Sequence, residues 1–154
     1  MTPTSAKVIH ALRGKTLVTA ESLTGGGIGA ALTAVPGSSE VYKGGIISYT
    51  NWVKEHLLGV SAQLLEEQGA VSAPVAQAMA AGALERLAAD VAVSVTGLAG
   101  PSGDDYGHPV GTVFIGYADR ERQTVLPCLF SGSREEIRQQ TIEAALSLVL
   151  RYAQ

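Results

Sequence analysis

The chain has 154 residues, of which 46% are hydrophobic and 16% charged, and its formal net charge at pH 7 is −3. This length and composition are typical of a single globular domain, residues 1–154, and exclude a disordered chain. The slightly negative charge and the scattered Lys and Arg residues disfavour a nucleic-acid-binding protein.

Strand and helix patterns alternate over the first two thirds of the chain. Largely apolar runs predict strands at 15–20, 41–50 and 91–95. Predicted helices are a first one capped by Ser5, a Gly-rich one at 24–34, one at 52–58 capped by Asn51, one capped by Ser61, and one running from a cap at Ser72 to about Leu87.

The last third of the chain predicts a hairpin and a long helix. A polar loop at 97–109 precedes two strand-like segments, 110–118 and 124–130, and Pro127 indicates that the second is an edge strand. Ser133 and Glu136 have the spacing of a capping box before a helix that reaches Tyr152. The whole pattern favours an α/β fold, a three-layer α/β/α sandwich with a mixed sheet.

Two further features bear on the cellular compartment. Cys128 is the single cysteine, so no disulfide forms within the chain, which suits a reducing environment. The segment 1–13 lacks the apolar run of a signal peptide, and no segment has the roughly 18 apolar residues of a membrane span. We therefore expect a cytoplasmic protein that does not associate with a membrane.

Ser22 is the first candidate catalytic residue. It follows a predicted buried strand and precedes the Gly-rich turn Thr24-Gly25-Gly26-Gly27. Unpaired N–H groups at a helix start bind oxyanions or phosphates, and glycine lets a ligand approach the backbone. The alternative is that Ser22 or Thr24 only caps the helix. The turn matches neither a P-loop nor a Gly-x-Ser-x-Gly nucleophile elbow.

A serine nucleophile needs a base, and Lys54 is the candidate that its position favours. The three histidines, at 10, 56 and 108, carry no motif. Lys54 falls in the first turn of the helix after Asn51, where the helix dipole and burial both lower a lysine pKa. Tyr49, five residues earlier, is placed to orient the amine or relay its proton. The alternative is a solvated lysine beside a core tyrosine.

Two more segments are candidate ligand sites. The first is the loop Thr96-Gly97-Leu98-Ala99-Gly100-Pro101, which follows a buried strand at a sheet end. A mobile surface loop is the alternative. The second is the start of the last helix, where Arg134 or Arg138 has the fork geometry to bind a phosphate or carboxylate. Surface charge is the alternative for one of the two.

Seven segments in this order resemble the C-terminal domain of the CinA competence/damage-inducible family, including its stand-alone nicotinamide-nucleotide amidohydrolases. They are Ala20-Glu21-Ser22-x-Thr24-Gly25-Gly26, Pro36-Gly37-Ser38-Ser39, Tyr49-x-Asn51-x-x-Lys54, Gly69-Ala70-Val71-Ser72, Thr96-Gly97-x-Ala99-Gly100-Pro101-x-Gly103, Pro109-Val110-Gly111-Thr112-Val113 and Phe130-x-Gly132-x-Arg134. The resemblance spans about residues 7–153. The chain departs from the family pattern at Leu23, where Cys is usual, and at Asp104-Asp105, where Gly is usual.

The resemblance implies an α/β/α enzyme that uses no metal or cofactor and forms a homo-oligomer, at least a dimer. It implies hydrolysis of the carboxamide of nicotinamide mononucleotide to nicotinate mononucleotide and ammonia. By position, Ser22 would be the nucleophile, Lys54 the base and Tyr49 an assisting group. The residues expected to bind substrate are Thr24, Gly25, Gly26, Gly45, Thr96, Gly97, Ala99, Gly100, Pro101, Arg134 and Arg138.

Two alternative functions remain open from the sequence. One is a nucleotide-binding or regulatory module of the same family that has lost turnover. The other is a serine hydrolase that acts on a different amide. The joint presence of Ser22, Tyr49 and Lys54 favours an enzyme over a binding module.

Overall fold

The computed structural model describes residues 1–153. Its strands are β1 (Leu17–Glu21), β2 (Tyr42–Ile47), β3 (Val91–Gly97), β4 (Thr112–Asp119) and β5 (Gln123–Leu129). They form one sheet in the order β2-β1-β3-β4-β5, in which β1 runs parallel to β2 and β3, and β4 runs antiparallel to β3 and β5. The sheet is therefore mixed, as the sequence predicted.

Six helices cover the two faces of this sheet. They are α1 (Thr4–Ala11), α2 (Gly27–Thr33), α3 (Asn51–Leu58), α4 (Ala62–Gln68), α5 (Ala73–Arg86) and α6 (Arg134–Ala153), with a short 3-10 turn at Ser38–Glu40. One apolar core joins the sheet to α1, α2 and α6, and a second joins it to α3, α4 and α5. This arrangement confirms the three-layer α/β/α prediction. Within residues 1–153 no helix is both long enough and apolar enough to cross a membrane.

Side-chain alternation along β1 explains why the sheet has a core on each face. Leu17 packs in the core with α1, α2 and α6, whereas its neighbour Val18 packs in the core with α5. β1 and β3 are central and buried, whereas β5 lies at the edge of the sheet, where a proline without an N–H group is tolerated. The edge prediction for Pro127 is confirmed.

The helix starts differ from the predictions at three places. α2 begins at Gly27 and not at 24, because the backbone of Gly26 has a φ of +100°, which interrupts helical geometry. Thr50, not Asn51, caps α3 by accepting a hydrogen bond from the Val53 N–H. α1 begins at Thr4, so Ser5 lies inside it.

Three predicted helix caps are confirmed. The hydroxyls of Ser61 and Ser72 accept hydrogen bonds from N–H groups in the first turns of α4 and α5. Ser133 and Glu136 form the predicted capping box, with bonds of 2.9 and 3.2 Å between the backbone of one and the side chain of the other.

Candidate active site

Ser22 lies immediately after β1, where the carboxyl ends of the parallel strands meet. Glu21, the last residue of β1, pairs with Ile47 of β2 on one side and Val95 of β3 on the other. The Ser22 N–H donates to the Val95 carbonyl at 3.1 Å, so the residue continues the sheet. The carboxyl edge of a parallel sheet is the usual place for ligands in α/β folds.

Ser22 and Lys54 form a buried pair. The Lys54 Nζ lies 3.2 Å from the Ser22 Oγ and donates to the Ser48 carbonyl oxygen at 2.9 Å. Lys54 is only 1% exposed and Ser22 only 7%. Lys54 reaches the serine because it is the fourth residue of α3, whose first turn faces the strand ends.

The surroundings of Lys54 change its proton affinity. Burial lowers the pKa of the Lys54 amine from 10.5 to about 8, because low dielectric disfavours the charged form. At pH 7 roughly one molecule in ten then carries a neutral amine, against fewer than about one in a thousand for a solvated lysine. A neutral amine next to a serine hydroxyl can accept its proton, so the pair has the chemistry of a nucleophile and its base.

The turn after Ser22 offers hydrogen-bond donors to a reacting group. Gly25 and Gly26 have φ values of +58° and +100°, a region that favours glycine, and they bend the chain sharply before α2. Within residues 1–153, the N–H groups of Leu23, Thr24 and Gly26 donate to no other protein group. These three groups are the candidates to stabilise an oxyanion formed at Ser22.

The first helical N–H groups of α2 do not serve that purpose, contrary to the sequence-based expectation. The N–H groups of Ile28 and Gly29 donate to the carboxylate of Glu21 at 2.8 and 3.0 Å. The same carboxylate accepts the hydroxyl hydrogen of Thr24 at 2.6 Å. The candidate oxyanion donors therefore lie in the turn before the helix and not in the helix itself.

Arg138 of α6 binds the outside of this turn. Its Nε donates to the Leu23 carbonyl at 2.9 Å, and its NH2 donates to the Thr24 carbonyl at 3.1 Å. Its NH1 pairs with Glu135 at 3.1 Å. Each nitrogen of the guanidinium thus has a protein partner, so Arg138 stabilises the turn and is the less available of the two arginines for a phosphate.

Arg134 connects Tyr49 with the loop that follows β3. Its guanidinium donates to the Tyr49 hydroxyl at 3.2 Å and to the Gly100 carbonyl. Tyr49 is 58% exposed, and within residues 1–153 it forms no hydrogen bond with Ser22 or Lys54. The structure therefore places Tyr49 at the surface, bonded to Arg134, and not in direct contact with the Ser22–Lys54 pair.

The remaining predicted substrate-binding residues fall into two groups. The hydroxyl of Thr96 donates to the Ala70 carbonyl at 2.7 Å, and Gly97 packs against Val113, so both support the loop that contains Ala99, Gly100 and Pro101. Gly45 lies apart from this loop. Together with Gly26 and Tyr42, it lines a pocket of about 220 Å³ at β2 that Ser22 and Lys54 do not line.

The two departures from the family pattern do not remove the site chemistry. The Leu23 side chain is 4% exposed and belongs to the apolar core, so the position of the usual cysteine points into the protein. Asp104 accepts hydrogen bonds from the backbone of Tyr106 and His108 and pairs with the His108 ring at 2.8 Å. The Asp104 carboxylate therefore binds groups of its own loop.

Sequence reasoning missed two residues of the site, Glu21 and Ser48. Ser48 acts through its carbonyl oxygen, and no side-chain pattern reveals a backbone contact of that kind. Glu21 did carry a signal, because a carboxylate at the end of an otherwise apolar strand needs a partner. Its partners, the N–H groups at the start of α2, could be identified only from the three-dimensional structure.

The fold and the site together define a class: a three-layer α/β/α domain with a buried serine–lysine pair at the carboxyl edge of its sheet. The model of the CinA C-terminal domain family matches residues 2–153. The chain belongs to this family.

Relatives and solved structures agree with this assignment. CinA-like proteins of Prochlorococcus marinus and Geotalea daltonii are 48% and 50% identical over 88% and 90% of this chain. The chain spans about a third of their length, 32% and 33%. A competence damage-inducible protein A from Klebsiella pneumoniae superposes with a TM-score of 0.95 at 34% identity, covering 99% of this chain and 98% of that one. A competence/damage inducible protein from Agrobacterium tumefaciens also has a TM-score of 0.95, at 39% identity, covering 98% and 94%.

Proposed function

We propose that the chain is an amidohydrolase that converts nicotinamide mononucleotide and water to nicotinate mononucleotide and ammonia. The observation that carries the proposal is the buried Lys54 amine, 3.2 Å from the Ser22 hydroxyl and with its pKa lowered to about 8. The choice of substrate rests on the resemblance to the nicotinamide-nucleotide amidohydrolases. An amide is a substrate that needs both an activated nucleophile and a proton donor for its leaving group.

The geometry of the Ser22–Lys54 pair supports the following acylation step. The neutral Lys54 amine accepts the hydroxyl proton as the Ser22 Oγ attacks the carboxamide carbon. The carbonyl oxygen becomes an oxyanion, which the N–H groups of Leu23, Thr24 and Gly26 are placed to stabilise. As the carbon–nitrogen bond breaks, the Lys54 ammonium returns the proton to the leaving amine, which departs as ammonia. The nicotinoyl group is then held as an ester of Ser22.

Deacylation reverses the roles of the same groups. Lys54 accepts a proton from a water molecule, whose oxygen attacks the ester carbon. The second oxyanion collapses, the carbon–oxygen bond to Ser22 breaks, and Lys54 returns the proton to the serine oxygen. The Ser22 hydroxyl is restored, and the acid that is formed releases its remaining proton to solvent and leaves as the nicotinate carboxylate.

Ammonia release from nicotinamide mononucleotide tests the proposal directly. We expect the wild-type protein to release one ammonia for each nicotinate mononucleotide formed, measured by a coupled ammonia assay and by chromatography of the nucleotide. Nicotinamide, which lacks the ribose phosphate, is expected to be a far poorer substrate. If the protein releases no ammonia at high enzyme concentration but binds the nucleotide in calorimetry, the alternative of a nucleotide-binding module without turnover is favoured instead.

Arg134 provides a prediction about the phosphate. All three nitrogens of the Arg138 guanidinium have protein partners, whereas Arg134 is exposed and, within residues 1–153, its Nε has none, so we assign the phosphate to Arg134. A charged hydrogen bond contributes about 1.5–3 kcal/mol. Arg134→Ala is therefore expected to raise the KM for nicotinamide mononucleotide at least about tenfold.

The nucleoside supplies the control for this prediction, since nicotinamide riboside has no phosphate. Its kcat/KM is expected to change little in Arg134→Ala. Arg120→Ala removes an arginine that pairs with Asp90 at the opposite end of the sheet and is expected to affect neither substrate. An equal loss for nucleotide and nucleoside would show that Arg134 acts on the loop or on Tyr49 and not on the phosphate.

A further inference from the structure

We infer that Glu21 is a positioning residue for both members of the Ser22–Lys54 pair. Its side chain fixes the turn that carries the nucleophile, and its carbonyl oxygen fixes the strand end that orients the base. The inference rests on the proposed amidohydrolase function and concerns a residue that contacts neither the Ser22 hydroxyl nor the Lys54 amine.

The side chain of Glu21 is buried, and both of its carboxylate oxygens accept hydrogen bonds. It is 2% exposed, and one carboxylate oxygen accepts from the Thr24 hydroxyl at 2.6 Å and the Ile28 N–H at 2.8 Å. The other oxygen accepts from the Gly29 N–H at 3.0 Å. No cation is among these partners, so the first turn of α2 and its dipole stabilise the carboxylate.

These bonds fix the course of the chain between Ser22 and α2. They join the residue before the serine to the residue two after it and to the first turn of the helix. The glycines at 25 and 26 give this segment little rigidity of their own. With Arg138 bound to the outer carbonyls of the turn, the free N–H groups of Leu23 and Thr24 are held in the turn directly after Ser22.

The carbonyl oxygen of Glu21 acts on the base. It accepts the Ser48 N–H at 2.8 Å, just beyond β2. The carbonyl of Ser48 in turn accepts from the Lys54 amine at 2.9 Å. That contact directs the amine towards the Ser22 Oγ. A shift of the Glu21 backbone would therefore move the nucleophile and the base at once, and sub-ångström misplacement of such groups is costly in rate.

The Glu21→Gln variant separates the charge from the shape of this side chain. The amide oxygen of glutamine can accept hydrogen bonds in place of one carboxylate oxygen. The amide NH2 group, itself a donor, then lies against the donor of Gly29 or the donors of Thr24 and Ile28, and a hydrogen bond is lost. We expect kcat to fall at least about tenfold with little change in KM, because the fault lies in the geometry of the reacting groups. Amide hydrogen exchange at Ile28 and Gly29 is expected to speed up by a similar factor.

Asp90→Asn is the matched control. Asp90 also accepts from a backbone N–H and a threonine hydroxyl, both of Thr16, but at the other end of β1. The control variant is expected to lose some thermal stability while keeping kcat and the exchange rates of Ile28 and Gly29. If both variants lose the same kcat at equal loss of stability, the effect is general destabilisation and the inference is wrong.

A fluorophosphonate that labels reactive serines gives a readout that needs no substrate. We expect it to label Ser22 in the wild type, and to label Glu21→Gln at least about tenfold more slowly. A wild type that is labelled but releases no ammonia overturns the nucleotide substrate and leaves the inference to be decided by the labelling rates. If the Glu21→Gln variant is folded and has the labelling rate and kcat of the wild type, the inference is wrong. If the wild type is neither labelled nor active, both the proposed function and this inference are wrong.

Discussion

Replacing Ser22 with alanine, or Lys54 with methionine, is expected to lower ammonia release from nicotinamide mononucleotide at least about 10³-fold. Without Ser22 no acyl-enzyme forms, and without Lys54 the serine hydroxyl loses the amine that takes its proton. Because both residues act in the same step, the double variant is expected to be little worse than either single one. Single-turnover ammonia release, compared across the four proteins, measures this non-additivity.

The chain offers a matched control for each of these substitutions. Ser94→Ala removes a buried serine hydroxyl that donates to the Ala76 carbonyl, on a strand beside β1. Lys43→Met removes a lysine whose amine donates to the Ala88 carbonyl at the surface. Both controls are expected to retain activity. Losses in Ser22→Ala and Lys54→Met that multiply in the double variant would show that the two residues do not act together.

The elements of the fold were predictable because their signals are local. The largely apolar runs of the strands, the caps at Ser61 and Ser72, and Pro127 at an edge each depend on a few neighbouring residues, and the structure confirms them. The start of α2 was predicted three residues too early. Its position depends on the left-handed backbone of Gly26 and on a carboxylate from the preceding strand, and neither follows from helix propensity.

The sequence predicted that Ser22 and Lys54 lie together, but not the other contacts around them. Ser22 and Lys54 are 32 residues apart, and only the pairing of β1 with β2 and the direction of α3 bring them to 3.2 Å. The expected contact of Tyr49 with the pair is replaced by a backbone carbonyl, that of Ser48. A contact to a backbone carbonyl depends on the path of the main chain. A sequence motif cannot predict it, because a motif describes only side chains.

The lowered pKa of Lys54 predicts how activity depends on pH. The base must be neutral in the free enzyme, so kcat/KM is expected to rise about tenfold per pH unit below pH 8 and to level off above it. Lysine at its ordinary pKa would move that plateau to about pH 10.5. A profile that is flat between pH 6 and 8 would show that Lys54 does not act as the base.

The lowered pKa of Lys54 also reduces the stability of the folded protein at neutral pH. Between about pH 8 and 10.5 the unfolded chain binds a proton at Lys54 that the folded protein does not, so the free energy of unfolding rises with pH across this window. The difference of 2.5 pH units between the two pKa values corresponds to about 3 kcal/mol. Below pH 8 the folded protein is less stable by this amount than it would be with a neutral amine at position 54. Lys54→Met keeps the buried aliphatic chain and removes the charge, at the cost of two hydrogen bonds of about 1 kcal/mol each.

We therefore expect Lys54→Met to be inactive and yet more stable than the wild type at pH 7. The expected increase in the free energy of unfolding is about 1 kcal/mol. As the pH rises from 8 towards 10.5, the wild type gains stability and the variant does not, so their order is expected to reverse. Urea unfolding of both proteins at pH 7 and pH 10 measures the change, with Lys43→Met as the control for loss of a surface charge. A constant difference between the two pH values would mean that Lys54 keeps its ordinary pKa in the folded protein, and the amine would then be too rarely neutral at pH 7 to activate Ser22.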